Sequence, residues 1–361
     1  MSPSPLAESA AFWTERPGML DGTHWLLTVK SLDQRARRKA MVERRKSGRI
    51  GRVAHREPAM GIVVAGRLDG RAGAFAPSGR TVMREPRHAA RLPDGRGWLV
   101  TTVDRLVALD RTLKARHSFA HPWFSFLHTV DLRAGRALVA SSGYDQIICV
   151  KVSDSGEVER ELFRWSAWEH GLNVTPSGET LEEVQAHHDH CGCGNVTVDP
   201  EEHGPLGLVT SGRAAHIAAA IWDPASSGFF FVASRQGAIY NVGHAHANNP
   251  ARLVLNGLGE LPHGLRAAGS GWDVTLTPKG EWWRLGLDFD RVEGWSVAGM
   301  PGKDPDAGDA EWVQQAVRYN GSRWLLIDAN RGLLVMDTVQ REWCRYAVNP
   351  DWCVQDAVLI R

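Results

Sequence analysis

Apolar and polar positions along this chain fall into short alternating or continuous apolar runs, separated by turns rich in Gly, Asp, Asn and Ser. Little of the sequence shows the 3.6-residue periodicity of an amphipathic helix, so the pattern predicts strands. One phrase recurs: a polar opening residue, a short run of small apolar residues, a Gly turn, a strand, a polar turn and another strand. The first copy opens at His88 and continues through Asp94-Gly95, Trp98–Thr101 and Leu106–Asp110. The second opens at His128, with Ala134-Gly135, Ala137–Ser141 and Ile147–Val150. The third opens at His216, with Asp223-Pro224, Phe229–Ser234 and Ala238–Tyr240. The fourth opens at His263, with strands at Trp272–Leu276 and Glu281–Leu285. The fifth opens at Gln315, with strands at Trp324–Asp328 and Leu333–Asp337.

Most steps between copies are roughly 40 to 50 residues, the period of a four-stranded propeller blade. The ends of the chain supply a sixth copy. Val354–Ile360 resembles a first strand with nothing after it, and Asp21–Thr28 a turn and second strand with nothing before it. Joined, they complete one blade and remove the open edges of a linear array. The expectation is an all-β fold: a six-bladed β-propeller spanning 1–361 as a single domain, closed by pairing of N- and C-terminal strands. Alternating strands with Gly turns also fit a sandwich or barrel. The step from His128 to His216 is nearly double. It holds either a seventh blade or an insertion, and insertion is favoured because Ser166 to Arg213 contains no good copy of the phrase.

Two segments stand outside the repeat. Residues 31–60 form a basic insertion, with nine basic residues between Arg35 and Arg52. No aromatic residue interleaves with them to stack bases, so a solvated excursion is expected and nucleic acid is not an expected partner. Residues 166–213 form a His/Cys-rich insertion, expected as a lid over the axis. It contains His187, His188, Asp189, His190, Cys191 and Cys193, with Glu183 just upstream. Imidazoles, thiols and a carboxylate at this density are potential metal ligands, although the spacing matches no zinc-finger signature.

Composition adds bounds. The 42 Lys and Arg balance 41 Asp and Glu, for a net charge of +1 that points to no particular partner. The 15 Trp and 37 Gly fit strands punctuated by tight turns. Five cysteines, an odd number, argue against a secreted disulfide scaffold. Met1–Ala11 lacks the basic flank and apolar segment of a signal peptide, and no run is apolar enough to cross a bilayer. These features predict a cytoplasmic chain without a membrane partner.

In a propeller the first strand of each blade lines the central channel, so equivalent opening residues are expected to be neighbours. Those positions hold His88, His128, His216 and His263, followed by Gln315 and Gln355 or their neighbours. Neutral imidazoles ligate iron, copper or zinc and leave positions open to substrate. Protonated imidazoles instead hold an anion, with one acting as nucleophile or general acid. A hydrated channel of structural histidines is the bland alternative.

The phrase His216-Ile-Ala-Ala-Ala-Ile-Trp-Asp-Pro224, followed by Val232-Ala-Ser-Arg-Gln-Gly-Ala-Ile239, resembles a blade of the bacterial arylsulfotransferases. That resemblance implies a six-bladed propeller moving sulfuryl groups between phenols through a histidine, with His216 and Ser234-Arg235 matching the family's His and Ser-Arg pattern. The blade grammar is also similar to strictosidine-synthase-like and gluconolactonase propellers. The four axial histidines are similar to the iron-binding set of carotenoid-cleaving oxygenases.

The leading expectation is a metal-dependent oxidoreductase or oxygenase acting on a small, anionic or aromatic substrate. His88, His128, His216 and His263 would ligate iron or copper, with zinc a further candidate. His187, His188, His190, Cys191 and Cys193 are additional candidate ligands. Asp189 or Glu183 would carry protons, and Arg235 would hold an anionic group. Trp123, Phe124 and Trp312 would form an apolar wall. The second expectation is metal-free sulfuryl transfer with His263 or His216 as nucleophile and Arg235 as clamp. The third is a non-catalytic binding platform.

Overall fold

The computed structural model describes residues 13–46, 57–173, 200–208, 212–259, 261–269 and 271–360. In chain order the strands are β1 (Thr14–Glu15), β2 (His24–Val29), β3 (Met60–Asp69), β4 (Ala74–Arg84), β5 (Ala89–Arg91), β6 (Gly97–Thr101), β7 (Arg105–Asp110), β8 (Ala115–Ala120), β9 (Leu127–Arg133), β10 (Arg136–Ser141), β11 (Gln146–Val152), β12 (Val158–Ser166), β13 (Ile217–Trp222), β14 (Phe229–Ala233), β15 (Ala238–Val242), β16 (Arg252–Leu255), β17 (Pro262–Ala267), β18 (Gly271–Leu276), β19 (Glu281–Gly286), β20 (Arg291–Ser296), β21 (Val313–Arg318), β22 (Arg323–Asp328), β23 (Gly332–Asp337), β24 (Glu342–Tyr346) and β25 (Val354–Ile360).

These strands form six sheets, each a four-stranded antiparallel meander, and the fold is a six-bladed β-propeller. The two strands of each blade that the sequence pattern marks as most apolar, such as β10 and β11, are nearly fully buried. The fourth strands are not: β8 alternates exposed and half-buried residues, which is why its polar sequence carries little signal. One sheet gains β1 as a parallel fifth strand beside β24.

By its contacts the chain divides into two compact units. The first comprises the described residues of Met1–Ser47, Ala59–Met83 and Leu261–Arg361, the second those of Gly48–Pro58 and Arg84–Glu260. Each holds three of the sheets. In the first, Trp282, Trp295 and Trp324 pack in series between sheets, with ring centroids 5.4 and 5.0 Å apart. In the second, Trp165 packs on Phe231 at 4.9 Å within a cluster drawn from neighbouring sheets. The many tryptophans thus serve as large wedges between blades, each burying more apolar area than an aliphatic side chain would.

The expected closure is present within the first unit. β25 pairs antiparallel with β2, Leu27 opposite Ala357, and the blade reads β25-β2-β3-β4. The basic insertion follows β2 but is not simply solvated: Gln34–Lys46 is a helix, α1. Its Arg38 is only 7% exposed, bonded to Asn330 Oδ1 and stacked 5.1 Å above the Trp312 ring. Its Nη2 also donates to Ala307 O at 3.4 Å, so the bonds to Asn330 and Ala307 and the Trp312 ring together hold the guanidinium in place. The second insertion connects β12 to β13. Within it the short helix α2 (Pro200–His203) is described, whereas Glu183, His187, His188, Asp189, His190, Cys191 and Cys193 lie outside the described residues. Among the described residues no helix is long and apolar enough to cross a membrane.

Removing Val354–Arg361 would expose the inner edge of β2 and leave Trp25, Leu27 and Val64 without one wall of their core. Such a truncated chain is expected to lose its single cooperative unfolding transition in urea. A sharp transition at the wild-type midpoint would show that the terminal strand does not close the fold.

Candidate functional site

The first residues of the inner strands decide which side chains occupy equivalent slots. In β9, Leu127 pairs with Ser141 but Val130 with Val139, so one extra residue bulges out. Equivalent shifts occur between Ile217 and Ala219, Pro262 and Leu265, Val313 and Gln315, and Val354 and Asp356. A bulge places its extra side chain off the regular alternation and re-aims it. Aligned on the bulge, the slot holds His128, Ala218, His263, Gln314 and Gln355. In β5, Ala89 opposes Val100 as Leu265 opposes Val274, which puts Arg87 in the slot. A left-handed residue precedes four of these positions by two: Glu85, Phe126, His216 and Leu261, with φ between 44° and 51°.

This register corrects the expected one in two blades. Of Gln315 and its neighbours, Gln314 takes the slot. His88 is displaced by Arg87, since a one-residue slip turns a side chain to the opposite face. The half-buried His88 accepts the Val130 N–H at 3.4 Å instead. His216 stands two residues ahead of its slot, at the left-handed position. It nevertheless meets His128: their ring centroids are 5.2 Å apart, nearly perpendicular at 84°, with a nitrogen of each within 4.8 Å of the other.

Around this pair the second unit gathers buried charge. Arg87 Nη1 is 2.8 Å from His128 Nε2, and its Nη2 donates to the fully buried Glu85 at 3.1 Å. Arg87 and Arg213 lie over the Phe126 ring at 5.6 and 5.0 Å. A guanidinium only donates, so His128 Nε2 must present its lone pair and carry its proton on Nδ1. Arg87 is a candidate site residue that the repeat did not reveal. Its signal lies in Glu85-Pro86-Arg87, which parallels Leu261-Pro262-His263.

The Ser234-Arg235 pair acts through its backbone. Ser234 N donates to His216 O at 3.2 Å and Arg235 N to Ala215 O at 3.1 Å. On the other side of the same segment, Ala215 N donates to the Asp145 carboxylate at 3.0 Å. The Arg235 side chain is half-buried. Phe124 is core, and Trp123 stacks under Arg164 at 3.8 Å.

In the first unit, His263 is fixed independently. Its Nδ1 is 2.9 Å from Leu261 O, and a carbonyl can only accept, so Nδ1 carries the proton and Nε2 is left with a lone pair. Trp312 bonds the slot residue Gln314 at 3.2 Å.

No family model matches the chain, and no curated protein matches it in sequence. Solved structures do match. A protein of unknown function from Bacteroides caccae is 10% identical, with a TM-score of 0.54 over 95% of this chain and 98% of that one. A putative 6-phosphogluconolactonase from Bacteroides uniformis is 11% identical, with a TM-score of 0.50 over 87% and 78%. A chain of a nidogen/laminin complex is 10% identical, with a TM-score of 0.50 over 92% and 97%. At such identities the likeness is one of fold, and that fold is the β-propeller.

Burial pushes the Asp145 carboxyl up to about 6, opposed by the neighbouring amides and by Arg213. The folded chain therefore holds this proton more tightly than the unfolded chain. The stabilisation is complete below about pH 4 and is lost as pH rises through 6, amounting to roughly 3 kcal/mol. Urea denaturation of wild type and Asp145→Asn across that range should show wild type losing about this much relative to the non-titrating variant. A pH-independent difference would contradict it.

Proposed function

We propose that the chain is an enzyme that binds the oxyanion of a small substrate and transfers a sulfuryl or phosphoryl group by imidazole chemistry without a metal. The observation that carries this reading is the bond from Arg87 to His128. It keeps the imidazole neutral and sets a guanidinium, whose planar fork suits sulfate and phosphate, beside it. Arg213 adds to the positive potential, and Arg235 is a further candidate clamp. In the transfer step a nitrogen of His216 forms the new bond to sulfur or phosphorus. The bond to the leaving oxygen breaks, and that oxygen keeps the electron pair and takes a proton. The acceptor hydroxyl then reverses the sequence and gives up its own proton.

The same bond counts against the metal reading that the sequence favoured. An ion on His128 Nε2 would need the lone pair Arg87 already engages. An ion on Nδ1 would force a proton onto Nε2, facing another N–H. Arg87 would have to withdraw in either case. What supports the metal reading is the pair His128 and His216, whose ring nitrogens, within 4.8 Å of one another, are of the kind that hold iron, copper or zinc. His88 would not belong to that set. Oxidation or cleavage of a small organic substrate is the chemistry such a site would serve.

Titration with inorganic sulfate and phosphate, together with elemental analysis of protein purified without a His tag, separates the two. The expected result is metal-free protein that binds an oxyanion. Affinity should fall at least about tenfold in the paired Glu85→Gln/Arg87→Gln variant, which leaves no lone buried charge, in line with loss of a charge-assisted contact. Transfer from 4-nitrophenyl sulfate to phenol would extend the result to catalysis. Stoichiometric iron or copper that is lost in His128→Ala would overturn it in favour of the metal centre.

A further inference from the structure

We propose that Asp145 is a positioning residue that holds His216 in the conformation the site requires. The inference rests on the reading of His216 as a functional imidazole and adds a role for a carboxylate that the sequence did not single out. Asp145 lies in the turn between β10 and β11, fully buried. Its Oδ2 accepts from Ala215 N at 3.0 Å, and the neighbouring amides of His216 and Ile217 favour its charged form. The one direct bond ties the carboxylate to the residue just ahead of His216.

The segment needs such a hold because His216 has a φ of +48°. A residue with a Cβ is strained there relative to the right-handed region. Such strain persists only where surrounding bonds fix it. Here they act from both sides: the carbonyls of Ala215, His216 and Ile217 accept from Arg235 N, Ser234 N and the Ser142 hydroxyl, while the Ala215 amide donates to Asp145. The consequence is positional. A right-handed His216 would swing its ring away from the nearly perpendicular approach to His128.

Other features do not carry an inference this far. His121 bonds Glu161 at 2.8 Å while its Nδ1 takes the Trp123 N–H at 3.3 Å, so both ring nitrogens are committed within the protein. Arg331 is likewise committed, between Glu311 and Asp328.

The test uses the full chain with no ligand. Imidazole NMR spectra of wild type, Asp145→Asn and Asp145→Ala are compared, with the His216 signals assigned by their loss in His216→Gln. The Ala variant should shift or broaden the His216 ring resonances and leave those of His121 and His170 in place. The Asn variant, which can still accept N–H groups, should restore most of the wild-type pattern. If Asp145→Ala is too unstable for NMR, a double-mutant cycle in urea answers the same question. Glycine adopts positive φ without penalty, so the midpoint shift caused by Asp145→Ala should fall to roughly half or less in a His216→Gly background. Unchanged His216 resonances in a folded Asp145→Ala protein, or an equal midpoint shift in both backgrounds, would refute the positioning role. Because neither measurement involves an oxyanion, a failure of sulfate binding would sink the proposed function without touching this result.

Discussion

Backbone pairing at the first residues of each inner strand governs this molecule. There a regular antiparallel ladder is interrupted by one bulged residue, and in several blades a left-handed residue stands just ahead of it. Hydrogen-bond geometry, not side-chain chemistry, determines which position is turned out of the alternation. Everything functional is downstream of that choice. It brings Arg87 rather than His88 into its slot and leaves Ala218 in the slot of the blade that carries His216.

The electrostatics of the site follow from that placement. A buried guanidinium in place of a fourth imidazole changes the chemistry from that of a bare ligand set to that of a donor array. Glu85, completely buried, balances Arg87 and prevents it from being a lone charge in the interior. The same logic recurs between blades of the first unit, where Arg318 donates to Asp273 at 2.7 Å and Arg266 to Asp356. In the second unit the corresponding link is neutral: Asp131 accepts the Trp222 N–H at 2.8 Å. Charged side chains are thus used as ties between blades, and the slot charges of the candidate site are an extension of that habit.

The aromatic content has a parallel explanation. Blades packed face to face leave wedge-shaped gaps, and Trp25, Trp165, Trp272, Trp282 and Trp324 fill them while nearly excluded from water. Their abundance was visible in the composition, but their role as inter-blade wedges depends on which faces the sheets turn to one another. The outer strands show the opposite case. β8 and β12 alternate polar and half-buried residues because only one face meets a neighbour, so no apolar run marks them. The helix α1 was hidden for a related reason: its basic sequence reads as solvated until Arg38 finds Asn330 and Trp312.

The sequence by itself determined the repeat, the second and third strands of the blades, and the completion of one blade by both chain ends. These are written in local apolar runs and Gly turns, whose consequences reach only a few residues. It also determined that histidines open several inner strands, and it singled out His88, His128, His216 and His263 together. Only the tertiary structure decided the side-chain register, because a bulge of one residue leaves the apolar pattern almost unchanged while reversing the face a side chain meets. For the same reason it alone revealed Arg87 beside His128 and Asp145 beneath His216: both act through contacts made across sheets and turns, which no spacing along the chain records.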